Sequence, residues 1–399
     1  MVKKRDILCE KTSWHGREAY VVGNDLVSLY SVAGGGHVAD FHFNKSTRRP
    51  SVNPMWVPPW KPIEPQHYKH EKHGAKYGPL GVGKLLADIA GQNLCLDIFG
   101  VPSEVEMKHG LCIHGEAGVQ KWQKVKARTT NQEVALTLAV GLPVAGLKFT
   151  REIALCRGES VAYFSETVVN ERKADHFFHW TQHVTLGAPF VACGDTIIGI
   201  PATKGRTFPG GYDGDKLLEG DQDFQWPNAP KVGEGTADLT RPFPEPGKGY
   251  VASVLLDPRR NIEYVAAVNT KLGLLIGYCF QRRDYPWCAI WHENCSRSDA
   301  PWSSRTQSLG LEFGASPFPI VRRDSFALGP LWGTPTHTMV DAKGKKTINY
   351  VAFLAQVPPD FGGVSDIKLA PGEIIVCGTV AKEAVRVAAS GLAGTGMLG

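Results

Sequence analysis

Three short stretches carry side chains suited to proton chemistry. The run SRTQSLGLEFGASPFP (304–319) places Glu312 inside an apolar, strand-like segment. A carboxylate is costly to bury there without a partner or a task. It is therefore a candidate general base, and an ion pair with Arg305 is the structural alternative. In HFFHWTQHVTLGAPF (176–190), alternation along a strand sets His179, Thr181 and His183 on one face and Trp180 and Gln182 on the other. His183 precedes a Gly-Ala-Pro turn and so falls near a strand end. HGLCIHGEAGVQKW (109–122) holds His109 and His114. Gly115 lets a ligand come close to His114, and Trp122 can pack beneath it. Taken alone, that stretch reads as a packing histidine more readily than as a chemical one.

Two further motifs are weaker. GPLGVGKL (78–85) nearly matches a phosphate-binding loop, but Leu85 stands where the magnesium-binding hydroxyl belongs, so it reads as a glycine turn before a short helix. HYKHEKH (67–73) spaces His67, His70 and His73 three apart in a charged loop, with no cysteine or carboxylate placed to complete a tight site. The expectation is a solvated segment or pocket rim and no bound metal.

The elements that would position these groups are strands. AYVVGNDLVSLYSV (19–32), EVALTLAVGLPVAGLKFTREIAL (133–155), SVAYFSETVVN, GYVASVLLD, NIEYVAAVN, LGLLIGYCF and INYVAFLAQV alternate or run β-branched. The 44 glycines and 27 prolines between them suit a turn-rich β protein, and only GKLLADIA (83–90) offers a short helix. Residues 53–79 (NPMWVPPW and beyond) and 208–249 are too rich in turn residues for central strands and read as long loops, where binding residues tend to sit. No linker divides the chain. The expected organisation is one all-β domain over residues 1–385 and a flexible tail over 386–399.

Composition narrows the function classes. The 399 residues are 43% hydrophobic and 21% charged, a globular balance, and the net charge of +5 is spread thinly, which argues against nucleic acid as a partner. The basic start MVKKRDILCEKTSW lacks the apolar run of a signal peptide, and no stretch approaches the roughly 18 apolar residues of a membrane span. Nine cysteines without a CxxC pair suggest reduced thiols. The expectation is a cytoplasmic protein with no membrane contact.

Read together and in order, His114-Gly115 with Trp122, the run ETVVNERKADHFFHWTQHVTLG (166–187) ending on His183, and LGLEFG (309–314) with Glu312 resemble the galactose mutarotase (aldose 1-epimerase) superfamily. GGGHVADFHF (34–43) is similar to an early strand of that family. The similarity spans most of residues 20–380. The chain departs from the family where VTLGAPF follows the second histidine, and no counterpart of the substrate-binding aspartate is fixed, although Asp213, Asp215 and Asp223 lie in a suitable loop. The resemblance implies a β-supersandwich, a large antiparallel sandwich with few short helices, and cofactor-free chemistry on a sugar. Glu312 would be the base at the anomeric hydroxyl, His183 the acid at the ring oxygen, and His114 a second imidazole sharing the developing charge. A carboxylate and an imidazole do supply a base and an acid near neutrality.

Arg305 can orient Glu312 or hold a hydroxyl, and Gln182 lies beside His183. Trp56 and Trp60 in the proline-stiffened MWVPPW loop, and Trp287 and Trp291 in YPWCAIWHEN, can offer flat faces to pyranose C–H groups, the loop acting as a lid. His292 and Glu293 lie next to them. Two other readings stay open: a non-catalytic carbohydrate-binding or sensing protein, and another sugar enzyme, a lyase or hydrolase. A hydrolase would want two placed carboxylates.

Overall fold

The computed structural model describes residues 7–212, 214, 216–380 and 384–398. Hydrophobic alternation is realised directly in the strands: β1 (Leu8–Trp14), β2 (Arg17–Gly23), β3 (Val27–Val32), β4 (Val38–Phe43) and β5 (Gln92–Asp97). A meander follows, β6 (Gln123–Thr129), β7 (Glu133–Leu142), β8 (Leu147–Cys156), β9 (Val161–Asn170) and β10 (His176–Gly187). The middle of the chain supplies β11 (Thr196–Gly199), β12 (Ala202–Thr207), β13 (Asp223–Gln225), β14 (Asn228–Pro230), β15 (Thr236–Asp238) and β16 (Lys248–Leu256). Next come β17 (Ile262–Asn269), β18 (Leu274–Gln281), β19 (Trp287–Asn294) and β20 (Gln307–Gly314). The last are β21 (Thr338–Val340), β22 (Lys345–Gln356), β23 (Val364–Ala370), β24 (Gly372–Gly378) and β25 (Val385–Ala389).

Two large antiparallel sheets stack face to face, as expected for an all-β sandwich. One runs β1-β2-β3-β4-β5-β10-β20-β19-β16-β12-β13, with β21 pairing on β10; the other runs β11-β17-β18-β22-β9-β8-β7-β6. Every second residue of their strands enters the main core between them: Leu147, Phe149, Ile153 and Leu155 from β8, and Leu309, Leu311 and Phe313 from β20. The central strands β5, β10 and β19 are buried along nearly their whole length on both faces. One face is closed by the opposing sheet and the other by loops.

Three expectations are corrected. Residues 53–79 are not loop throughout, because HEKHGAKY folds as α1 (His70–Tyr77); the helix α2 predicted over 83–90 covers only Gly83–Leu86. Short helices α3 (Glu104–Lys108) and α4 (Arg322–Leu328) were not foreseen. The segment 386–399, expected as a flexible tail, is structured as far as it is described. Its start lies in β25, which joins β23 and β24 in a three-stranded sheet over the outer face of the second large sheet. A 3-10 turn at Ser390–Thr395 follows, Leu392 and Met397 are buried in that second core, and Ser390 bonds to Glu159 through its N–H (2.7 Å). Small Gly and Ala residues concealed a segment that a few apolar side chains anchor.

Candidate active site

The register of four neighbouring strands gathers the chemistry. His183 on β10 lies opposite Asn93 on β5 and opposite Glu312 on β20, and Glu312 lies opposite Ala289 on β19. These four side chains project from the outer face of the first sheet, since their neighbours Leu94, Val184, Leu311 and Ile290 fill the main core on the other. His183 Nε2 is 3.1 Å from Glu312 Oε1. Gly310 makes room for this carboxylate: a Cβ there would come within 2.5 Å of Oε1.

His114 arrives from a loop. After β5 the chain forms α3, closed by a capping box between Ser103 and Glu106, and returns so that the His114 carbonyl accepts from the Leu96 N–H (3.2 Å). His114 itself has a left-handed φ of 66°, which costs a non-glycine residue energy and is held by its surroundings. Gly115 follows at φ +85°, where a Cβ would meet the Leu96 carbonyl oxygen at 2.0 Å, so the turn requires glycine. The His114 ring is fixed by Nδ1 donating to the Phe99 carbonyl (2.6 Å), and its centroid is 4.7 Å from that of His183.

All three groups are buried: Glu312 is 2% exposed, His183 5% and His114 8%. Burial pushes the Glu312 carboxyl well above the usual carboxylate range. It pushes His183 well below the usual histidine value, reinforced by the neighbouring His114 charge, and His114 down to about 4. Burial thus favours the uncharged form of each of the three groups. A carboxyl and an imidazole 3.1 Å apart are close enough to exchange a proton.

By sequence, no family model matches the chain, and neither does any of the curated proteins searched. By structure the chain is similar to a protein provisionally named an aldose 1-epimerase from Klebsiella pneumoniae subsp. pneumoniae, with a TM-score of 0.61 at 13% identity, over 86% of this chain and 80% of that one. It is similar to a galactose mutarotase-like protein from Clostridium acetobutylicum (TM-score 0.54, 11% identity, 88% of this chain and 99% of that one). A galactose mutarotase related enzyme from Lactobacillus acidophilus gives a TM-score of 0.52 at 14% identity, over 88% of this chain and all (100%) of that one. The chain has the galactose mutarotase-like fold.

On this mutarotase-like scaffold the remaining expected residues fall out differently. Gln182 points the opposite way from His183, into the core, where its amide donates to Glu166 (2.6 Å). Strand parity separates it from the site. His292 is likewise turned inward and stacks on Tyr250 (5.4 Å), its pKa pushed down to about 4 by burial. Arg305 is exposed before β20, and the described group paired with Glu312 is His183. Trp291 lies beside His183, its ring 5.9 Å from that of the histidine. Trp56 and Trp60 reach it only through a buried cluster. Trp56 packs edge-on to Trp291 (6.1 Å) and stacks on Trp302 (5.9 Å), and Trp60 meets Trp302 at 5.2 Å. The MWVPPW loop therefore builds a wall of interlocked rings instead of presenting open faces. It is sewn down where the Trp56 N–H donates to the Thr185 carbonyl and the Gly91 N–H to that of Trp56, both at 2.9 Å.

Trp287 anchors another loop, donating to the Pro335 carbonyl (2.7 Å). Glu293 is taken up by the Tyr212 hydroxyl (2.6 Å) and Ser296. Asp213 and Asp215 lie outside the described residues, and Asp223 is exposed and paired with Arg206 (2.6 Å). His67 ends a 3-10 turn, while His70 and His73 lie on α1, where His73 accepts from the Lys69 N–H (3.0 Å). Sequence reasoning missed Trp302, Asn93 and Thr185. Thr185, two residues beyond His183 on the same face, was open to detection by parity; Asn93 depends on a pairing 90 residues apart.

Proposed function

We propose that the protein is an aldose 1-epimerase-like isomerase that interconverts the anomers of a free sugar or sugar derivative. The observation that carries this reading is the 3.1 Å approach of Glu312 to His183, with the His114 ring edge-on to the same imidazole at 4.7 Å. A single carboxylate among imidazoles suits proton exchange at two oxygens of one sugar; a hydrolase would want a second free carboxylate. Glu293, the nearby candidate on the same face of β19, is already bound by Tyr212 and Ser296.

The pair carries one proton. With that proton on His183, the Glu312 carboxylate takes the proton of the anomeric hydroxyl while His183 gives its own to the ring oxygen. The bond between carbon one and the ring oxygen breaks, and an open-chain aldehyde forms. Rotation about the bond between carbons one and two, then reversal of both transfers, closes the ring as the other anomer. His114, with Nδ1 committed to the Phe99 carbonyl, offers Nε2 to the sugar. Trp291 is the ring best placed to pack on sugar C–H groups.

The test is to follow optical rotation or anomer exchange by NMR for a panel of freshly dissolved aldoses. Acceleration of at least one sugar, lost in Glu312→Gln while binding is kept, supports the proposal. No acceleration of any sugar overturns it. Binding without turnover would instead mark a sensing protein, and unsaturated products or newly released reducing ends a lyase or hydrolase.

A further inference from the structure

His183 is held at both ring nitrogens. Nε2 faces Glu312, and Nδ1 lies 3.0 Å from Thr185 Oγ1. Thr185 stands two residues along β10, so both side chains leave the same face of the strand. It is fully buried, and its backbone is committed on both sides: its N–H donates to the Gly91 carbonyl (3.2 Å) and its carbonyl accepts from the Trp56 N–H (2.9 Å). A β-branched side chain on so fixed a backbone has little freedom at χ1.

A neutral imidazole carries its proton on one nitrogen only, and the partner at each nitrogen decides which. Nε2 faces a buried carboxyl whose protonated form is favoured by burial, and that form leaves Nε2 as the acceptor. Nδ1 then bears the hydrogen, and the threonine hydroxyl accepts it. When the Glu312 proton crosses to Nε2, the imidazolium still has a hydrogen on Nδ1 and still donates to Thr185. One hydroxyl orientation therefore serves both states of the cycle, and no atom at Nδ1 moves while a proton crosses at Nε2.

We propose that Thr185 is a positioning residue: its hydroxyl accepts from His183 Nδ1–H and so reserves Nε2 as the nitrogen that exchanges the proton with Glu312 and with the sugar. This assignment rests on the epimerase reading for its purpose, although the tautomer it dictates is independent of any substrate. The ionisable groups facing His183 are Glu312 on β20, His114 on its loop and His37 beyond β3, with the Cys95 thiol on β5 coupled to Glu312. None of them is a hydrogen-bond partner of Nδ1, which faces the Thr185 hydroxyl, with the backbone of His183 itself as a further group acting on the ring.

The experiment is nitrogen NMR of the full chain with labelled histidine, the His183 signals being assigned by their loss in His183→Gln. Wild type and Thr185→Ser should show neutral His183 with its proton on Nδ1. The near-isosteric Thr185→Val should move the proton toward Nε2. On whichever aldose the wild type turns over, Thr185→Val should lower kcat about tenfold or more with KM within about twofold, less than the roughly 10²–10⁴-fold of losing the acid–base group itself. Without its acceptor the imidazolium is disfavoured, so the acid limb of the rate profile should move down by about half a pH unit, and Thr185→Ser should restore it. A wild-type tautomer with the proton on Nε2, or a Thr185→Val spectrum like the wild type's, overturns the proposal without needing an active enzyme. A failure to accelerate any aldose with the Nδ1 tautomer intact overturns the epimerase reading and leaves Thr185 in its place.

Discussion

Successive residues of β10 enter two buried polar clusters that share a residue type and differ in every other respect. Toward the core, Glu166 accepts from Arg151 Nε (2.7 Å), Tyr350 (2.9 Å), Gln182 (2.6 Å) and Trp180 (3.2 Å). Arg151 also donates to the Gly36 carbonyl (2.8 Å) and lies over Trp122 (4.9 Å). The residue Trp122 that ends the stretch containing His114 therefore serves the core, not the site. Toward the outside, Glu312 has His183 at 3.1 Å and, among the described residues, no Lys or Arg paired with it. The first carboxylate is locked by four donors and a permanent charge. The second faces one imidazole, and burial raises its pKa. Burial alone does not distinguish the two carboxylates; the donors gathered around each do.

This contrast is broken most sharply by exchanging charge for amide on each side. Glu312→Gln and His183→Ala should each cost roughly 10²–10⁴-fold in kcat, and Glu312→Gln should leave thermal stability unchanged or higher, because a buried ionisable group with one partner becomes a neutral amide of the same shape. Full rate in both variants would mean that the outer cluster is structural too. Arg151→Met should do the reverse. It strands Glu166 as an uncompensated buried charge and should cost about 3–5 kcal/mol in denaturant unfolding. Replacing both partners by apolar residues should recover most of that loss, and an Arg151→Met protein as stable as the wild type would show that the inner network is dispensable.

The pH dependence of stability sharpens the comparison further. The folded-state pKa of Glu312 is raised by burial, so its protonated form stabilises the fold, and that contribution is lost as pH rises from the unfolded value toward the folded one. Glu312→Gln cannot ionise. Its stability relative to the wild type should therefore grow with pH above about 4.3, by up to about 1.4 kcal/mol per unit. The depressed His183 pKa works in the opposite direction, but it is common to both proteins and cancels to first order. Urea midpoints at pH 5 and pH 7 that differ equally for both proteins would contradict a raised Glu312 pKa.

The sandwich was legible because its strands alternate cleanly and its turns are rich in Gly and Pro. The pairs AYVVGNDLVSLYSV and EVALTLAVGLPVAGLKFTREIAL each became a hairpin, β2–β3 and β7–β8. Glu312, His183 and His114 stood out because two imidazoles and one carboxylate sat in apolar strand or turn settings. What failed was partnership. Gln182 was counted with the site although its parity already placed it opposite His183. Trp56 and Trp60 read as open faces because a sequence does not show that Trp302, over 240 residues away, completes their cluster. Arg305 was paired with Glu312 by proximity along the chain, while strand register joined Glu312 to a histidine 129 residues earlier.

The smallest expected effect separates two histidines five residues apart. His109 caps α3 and is exposed, with its N–H on the Glu106 carbonyl (3.1 Å), so nothing ties its ring to the site. His114 spends backbone strain at φ 66° to hold its ring beside His183. Strain of this kind persists only where the surrounding contacts over-determine it, here through the Phe99, Leu96 and Gly100 backbone. His114→Ala should lower kcat by about tenfold or more, and His109→Ala should stay within about twofold of wild type and within about 0.5 kcal/mol in stability. The discriminating measurement is the ratio of the two rates on one sugar. If it is near one, the imidazole at 114 packs beneath a turn and does no chemistry, and the proton pair of His183 and Glu312 works alone.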